Sequence, residues 1–368
     1  MMKKTLSLVV LLTLLSSARA VESDPAGFTT LTLLGNTDSY IYIPFKRNPA
    51  FVGMASSLAG GNVISIAGTP GFTANQFVYA AGTQPNRYYV FLKSGTRAGV
   101  YYTITSNDTT SITVDTAGDD LTSAITSTTS LEIIPYDTLG TIFPSGVGVH
   151  PSSSHSIAVR QSEILLPNNT SAGTNLASSI SYYYYSGTAG VGPGWRKAGV
   201  TGTIANDDIL VPDTFFVVRH NIGTNTSLTF TGTVQMSQLA TPVGTINTST
   251  DQDNAVALPF ATELTLAQLK LFESGTFAGS SSHSIATRQD QVLVWDNTVS
   301  GKNKAADVSY YYYTGTAGAG AGWRRSGITG TVANNDVVIG PNKGIIIRKK
   351  SGGAPATALW SVKPPYVP

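Results

Sequence analysis

The sequence predicts an all-β protein of two homologous antiparallel β-sandwich or barrel-like modules, the first carrying an inserted small β-barrel. Three observations predict it. Residues 152–208 recur at 280–336 with 35 identities in 57 positions and a constant offset of 128. The apolar runs are short and bounded by Gly, Pro, Asn and Asp, which is strand-and-turn patterning. The composition (37 Gly, 17 Tyr, 13 Phe, 12% charged) has ample apolar and aromatic surface to bury, which excludes disorder.

Residues 1–20 read as a signal peptide. Lys3 and Lys4 form the positive region, Leu6 to Leu15 the apolar run, and Ala18-Arg19-Ala20 the small-x-small cleavage pattern. The apolar run is too short for a spanning helix, which needs about 20 residues. No later segment is long and apolar enough to span a bilayer, and no Cys is available for lipid attachment. The expectation is export, to the envelope surface, the extracellular space or the periplasm. Without the three basic residues of the leader the chain has 20 basic and 21 acidic residues, a net charge of −1. That balance gives no electrostatic footprint for nucleic acid or an anionic membrane. The absence of Cys also excludes a disulfide framework.

Two alternating runs follow, Thr29–Leu34 and Ser39–Pro44. Further strands are predicted at 62–66, 76–79, 88–92, 100–104, 111–114 and 130–134, at the regular spacing of a small barrel or sandwich. Ile43-Pro-Phe45 resembles Leu258-Pro-Phe260, so the first module is read as interrupted. The expected boundaries are a signal peptide at 1–20, module 1 at 28–51 plus 136–240, the barrel at 52–135, and module 2 at 241–368.

Within the duplicated blocks, Glu163–Pro167 and Gln291–Trp295 are apolar runs between turns. Tyr182–Tyr185 and Tyr310–Tyr313 have high strand propensity. Gly-rich stretches (187–194 and 315–322) lead to Trp195-Arg196 and Trp323-Arg324, which reads as a long-looped hairpin. Residues 215–219, 344–348, 228–232 and 359–362 are further strands. Leu264–Phe272, preceded by Thr262, is the one stretch with helical spacing, enough for two turns.

The candidate chemistry is sparse. His155 and His283 lie in Ser-rich repeats, but adjacent Ser and His on an extended chain face opposite ways, and no Gly-x-Ser-x-Gly elbow is present. Four His and no Cys, without a His-x-x-x-His spacing, give no transition-metal site. Asp207, Asp208 and Asp336, with smaller clusters at Asp119-Asp120 and Asp251/Asp253, supply hard oxygen ligands without EF-hand spacing; Asx-turns are the default reading and a Ca²⁺ site the alternative. No metal or other cofactor is assigned. The binding candidates are Tyr183, Tyr185, Trp195 and Arg196, with Tyr311, Tyr313, Trp323 and Arg324. In a strand, Tyr183 and Tyr185 share one face, and a ladder of rings with polar tips suits sugars. Packing within the sheet is the competing reading of the same rings, and a solvated face is the default for the arginines.

The chain resembles a paralogous family of exported, uncharacterised bacterial β-rich proteins with no assigned activity. The elements that carry the likeness are Asp24-Pro-Ala-Gly-Phe28, Thr69–Thr83, Ile104–Thr109, Ile133–Phe143 and the terminal Ile345–Lys349 with Trp360. More loosely, each repeat looks like the small β-modules of bacterial cell-surface proteins, with Pro341-Asn-Lys-Gly344 at the turn; Pro212–Phe215 lacks its Gly. The loose likeness implies a surface location and no chemistry; the family likeness implies export and brings no assigned activity. The functional expectation is a non-enzymatic structural or adhesive protein of the cell envelope or matrix, with self-association or cell-surface polysaccharide as the partner. The alternative is an exported carbohydrate-binding protein that uses the Tyr/Trp hairpin.

Overall fold

The computed structural model describes residues 24–340, 343–352 and 357–367. The leader expected at 1–20 and Pro341-Asn342 of the expected turn lie outside them.

Strands β1 (Ala26–Leu33) and β2 (Asp38–Ile41) open the fold, and the next six close a barrel of their own. These are β3 (Phe51–Ala59), β4 (Val63–Ile66), β5 (Tyr88–Leu92), β6 (Tyr101–Asn107), β7 (Ser111–Asp115) and β8 (Ser130–Pro135). The order round the wall is β3-β4-β7-β6-β5-β8. Alternation in β6 and β7 turns Tyr102, Ile104, Ile112 and Val114 inward, where they meet Val90, Leu131 and Ile133.

Two details differ from the sequence reading. The chain at 76–79 is a series of turns, and Phe77 packs edge-on between Phe72 and Tyr88, with ring centroids 4.9 and 5.3 Å away. Strand β3, where no strand was expected, completes the wall through a register shift between Ala55 and Ser57.

Strands β5 and β8 are buried on both faces. Their outward residues Tyr89, Phe91 and Ile134, with Tyr136 just beyond β8, join the apolar core of the second module. Glu132 is carried into this region with its charge matched by Lys46 at 2.5 Å and Lys93 at 2.8 Å.

After the barrel come β9 (Asp137–Thr138) and a one-turn helix, α1 (Leu139–Ile142), closed by reciprocal Thr138–Thr141 capping. Then follow β10 (Ser162–Leu166), β11 (Ile180–Tyr185), β12 (Gly194–Lys197), β13 (Ile209–Leu210), β14 (Phe216–His220) and β15 (Thr226–Thr233). The five-stranded sheet is ordered β12-β11-β10-β14-β2, so a strand from before the barrel completes it. Likewise β1 pairs with β15 along its whole length, and β9 with β13.

The remaining strands are β16 (Leu239–Gly244), β17 (Gln252–Val256), β18 (Leu264–Thr265), β19 (Gln291–Asp296), β20 (Val308–Tyr313), β21 (Gly322–Arg325), β22 (Val337–Ile339), β23 (Lys343–Lys349) and β24 (Thr357–Val362). Their sheet is ordered β17-β23-β19-β20-β21, strand for strand the order of the first module read in reverse. The pairs β16–β24 and β18–β22 repeat β1–β15 and β9–β13.

The helix expected at 264–272 does not form. Strand β18 gives way to turns in which the Gln268 and Leu269 amides both bond the Thr265 carbonyl, and Lys270 takes a left-handed φ of 52°. The spacing of Leu264, Leu266, Leu269 and Leu271 reflects a core plug: all four are buried, and Trp360 Nε1 donates to the Leu269 carbonyl at 2.7 Å.

Candidate functional site

The residues singled out for binding sit on β11–β12 and β20–β21. In the first module Tyr182 and Trp195 face the core, where Tyr182 meets Ile164 and Val218, and Tyr184 packs at its margin. Tyr184 lies opposite Trp195, ring centroids 5.7 Å apart at 76°. Tyr183 and Tyr185 take the other face, with Arg196 opposite Tyr183.

That face is roofed over. Ser152 bridges to Tyr185, and the chain then turns back through a short 3-10 turn at Ile157–Val159. His155 stacks on Tyr185 at 4.1 Å and 26°, and its Nδ1 lies 2.7 Å from the Tyr183 hydroxyl. The Arg160 guanidinium covers the Tyr183 ring at 4.3 Å. The second module repeats each contact. His283 lies 2.7 Å from Tyr311 and stacks on Tyr313 at 4.0 Å, while Arg288 covers Tyr311 at 4.4 Å.

The exposed-ladder expectation is therefore corrected. Tyr183, Tyr185, Trp195 and Arg196 are 0, 4, 1 and 0% exposed, and Tyr311, Tyr313, Trp323 and Arg324 are 0, 5, 1 and 0%. Period-two alternation assigned the shared faces, but a third layer of chain covers the face that was to be wet. The arginines are likewise not a solvated surface. Arg196 donates to the Trp195 carbonyl at 3.0 Å and to the Gly192 carbonyl, and lies 5.6 Å from the centroid of the Tyr185 ring. Arg324 repeats this with Trp323, Gly320 and Tyr313. No acidic side chain pairs with either guanidinium among the described residues. One carbonyl of the Gly-rich loop and that of the preceding Trp accept from each buried cation instead.

The acidic turns hold tyrosines. Tyr182 donates to Asp208 at 2.8 Å, Tyr310 to Asp336 at 2.8 Å, and Tyr79 to Asp207 at 3.1 Å. Burial, reinforced by the carboxylate acceptor, raises the pKa of both Tyr182 and Tyr310. No group of three or more potential metal ligands occurs among the described residues.

A Ser–His contact does exist, at a place the sequence did not reveal. Ser162 Oγ is 2.8 Å from His220 Nδ1, and His220 Nε2 is 2.8 Å from Thr226 Oγ1. Ser162 also accepts from the His150 amide at 2.9 Å. Both side chains are buried, and desolvation, with the neighbouring His150, pushes the His220 imidazole down to about 4. Hydroxyls rather than a carboxylate hold both ring nitrogens, and a base so weakened in a closed site is poorly placed to activate a hydroxyl. The second module has Asp290 and Lys349, an ion pair, at the corresponding position.

The best-defined polar constellation joins the two modules. Arg219 makes two 2.7 Å bonds to Asp38 and donates to Asn303 Oδ1 at 2.5 Å. The Asn303 amide donates to Asp38 at 2.7 Å. Reciprocally, Arg348 binds Asp253 at 2.7 and 2.9 Å and Asn175 at 3.0 Å, and the Asn175 amide reaches Asp253 at 2.8 Å. Asn297 bonds both backbone groups of Tyr40, each at 2.7 Å, and Asn169 does the same for Ala255 at 2.9 and 3.0 Å. Each module thus lays the loop between its tyrosine strand and the strand before it along the edge of the other's sheet. This is an approximately two-fold, self-complementary contact within one chain. Its only signal in the sequence is the identity of Asn169, Gly173 and Asn175 with Asn297, Gly301 and Asn303.

No protein-family model, no curated protein and no solved structure matches the chain. The site stands on its own geometry.

Proposed function

We propose that this is a non-catalytic, exported structural or adhesive protein of the cell envelope or extracellular matrix. The observation that carries the reading is the use made of the duplicated residues. Tyr183, Tyr185, Trp195, Arg196 and their counterparts lie in layered packing, and the asparagines tie one module to the other. Their recurrence is that of a building unit. The leader-like N-terminus, the low charge and the likeness to exported proteins support the location. Outward apolar tips support the adhesive element: Ile157 and Ile285, at matching positions of the two modules, are 73% and 78% exposed.

The test is the assembly state of residues 21–368 by analytical ultracentrifugation, with and without Ca²⁺, alongside negative-stain imaging. Filaments, sheets or large regular oligomers are the expected result. A monomer under every condition overturns the self-associating reading.

A further inference from the structure

The two five-stranded sheets turn their outer faces toward each other across the inter-module contact and do not meet over their whole area. Between them lies a cleft of about 800 Å³, within the range of small-molecule sites. One wall carries Leu165 and Val217, the other Leu293 and Ile346, and small residues of the exchanged loops, Ala177 and Ala306, are part of the lining. Leu165, Val217 and Ile346 are half-buried, so aliphatic surface in mid-sheet faces open space where a sandwich would have inter-sheet packing.

We infer that this cleft binds the aliphatic chain of a small amphiphile. Wall chemistry selects the ligand. The charged groups are already neutralised by one another: Asp38 by Arg219 and the Asn303 amide, Asp253 by Arg348 and the Asn175 amide. Asn169 is held by the backbone of Ala255, and Lys304 donates to Asp307 and to two carbonyls. A polar ligand would have to break these bonds to gain its own. The aromatic rings are partly taken as well. Tyr40 covers Trp295, ring centroids 5.0 Å apart at 24°, and Phe215 closes on the edge of Tyr40 at 5.5 Å. Tyr40 and Trp295 each give one ring face to the other, which leaves less stacking surface for a sugar. Beside the uncharged polar side chains of Asn168, Ser178, Gln291 and Ser309, the walls offer the branched aliphatic surface of Leu165, Val217, Leu293 and Ile346, which gains by excluding water against methylene groups.

The test uses the intact mature chain, 1,6-diphenylhexatriene as a neutral fluorescent probe, and dodecan-1-ol as competitor. Saturable binding of one probe per chain is expected, displaced by dodecan-1-ol and untouched by maltohexaose. Ala306→Trp, which puts an indole in place of a small lining residue, is expected to weaken probe binding at least tenfold at unchanged circular dichroism. Val217→Lys, which puts a charge on the wall, does the same from a different position. Absence of saturable binding overturns the inference, as does binding that both folded variants retain. Displacement by maltohexaose overturns the aliphatic assignment. The readout is independent of assembly state, so its failure leaves the structural reading standing, and the converse also holds.

Discussion

Arg219 in β14 and Arg348 in β23 hold the same position in the two sheets, and each is gripped by an asparagine of the opposite module, Asn303 for Arg219 and Asn175 for Arg348. Both asparagines take a left-handed φ of 53°, a conformation Asn tolerates better than most side chains. The loops are thus shaped for the partner module rather than for their own.

The first prediction concerns this clamp. Asp38→Ala strips Arg219 of its bidentate partner and leaves a half-buried guanidinium unpaired, at an expected cost of ~3 kcal/mol. Asn303→Ala removes the side-chain acceptor of Arg219, keeps the backbone bond to Asp38, and puts at φ 53° a residue that tolerates the left-handed region less well than Asn, for ~1–2 kcal/mol. Urea unfolding followed by tryptophan fluorescence measures both. An unmoved midpoint for Asp38→Ala would show that the modules stay joined without the clamp.

The second concerns the roofed tyrosines. Tyr183→Phe deletes the bond to His155 and keeps the ring, so a loss of ~1 kcal/mol is expected. Trp195→Ala opens a cavity in the core and is expected to cost ~3–5 kcal/mol. A Trp195→Ala chain that unfolds at the native midpoint would contradict the burial on which these assignments rest.

The third is a pH dependence with a definite sign. The folded-state pKa of His220 lies near 4, below its ordinary value of 6.5. Its contribution is therefore intact above pH 6.5 and is lost as pH falls through 4, because the folded state resists a proton the unfolded chain accepts. With solvent screening allowed for, the loss is about 1–2 kcal/mol. Replacing Ser162 and His220 by the second module's pair (Ser162→Asp with His220→Lys) is expected to abolish the loss between pH 6.5 and 4. Thermal melts across that range decide the matter: a slope that persists in the double variant assigns the acid sensitivity to another group.

The fourth tests the contact points of the proposed assembly. Ile157→Asp with Ile285→Asp changes two exposed positions in short turns, so the melting temperature should hold while the sedimenting species becomes smaller. Unchanged oligomers would place the contacts elsewhere.

Much of the architecture was legible because duplication and period-two alternation are local signals. The strands of Tyr182–Tyr185 and Tyr310–Tyr313, the Trp hairpins and an inserted barrel could all be read from them. Strand β3 was not, because Phe51-Val-Gly-Met-Ala-Ser-Ser-Leu-Ala59 mixes small residues with an interrupted alternation and leaves Val52 and Met54 exposed. Leu264–Leu271 misled because a plug of turns can space its leucines like a helix. The candidate site failed for a different reason. Alternation says which side chains share a face but not whether another segment lies across it, and residues 152–160 lie across this one. The clamp left only the recurrence of its asparagines in the sequence, because Arg219 and Asn303, and Arg348 and Asn175, are far apart along the chain and ordinary in type.

The barrel between β2 and β9 imposes an order in time. A ribosome delivers β1 and β2 long before their partners, since Ala26 pairs with Thr233 and Asp38 with Arg219. The barrel strands find one another within a single stretch, Phe51 to Pro135, and can close as soon as that stretch has emerged. Pairing across so long a separation is slow compared with local pairing. A chain interrupted before Phe216 therefore carries every barrel strand while β1 and β2 still lack their partners, so two strands made before the barrel are paired after it.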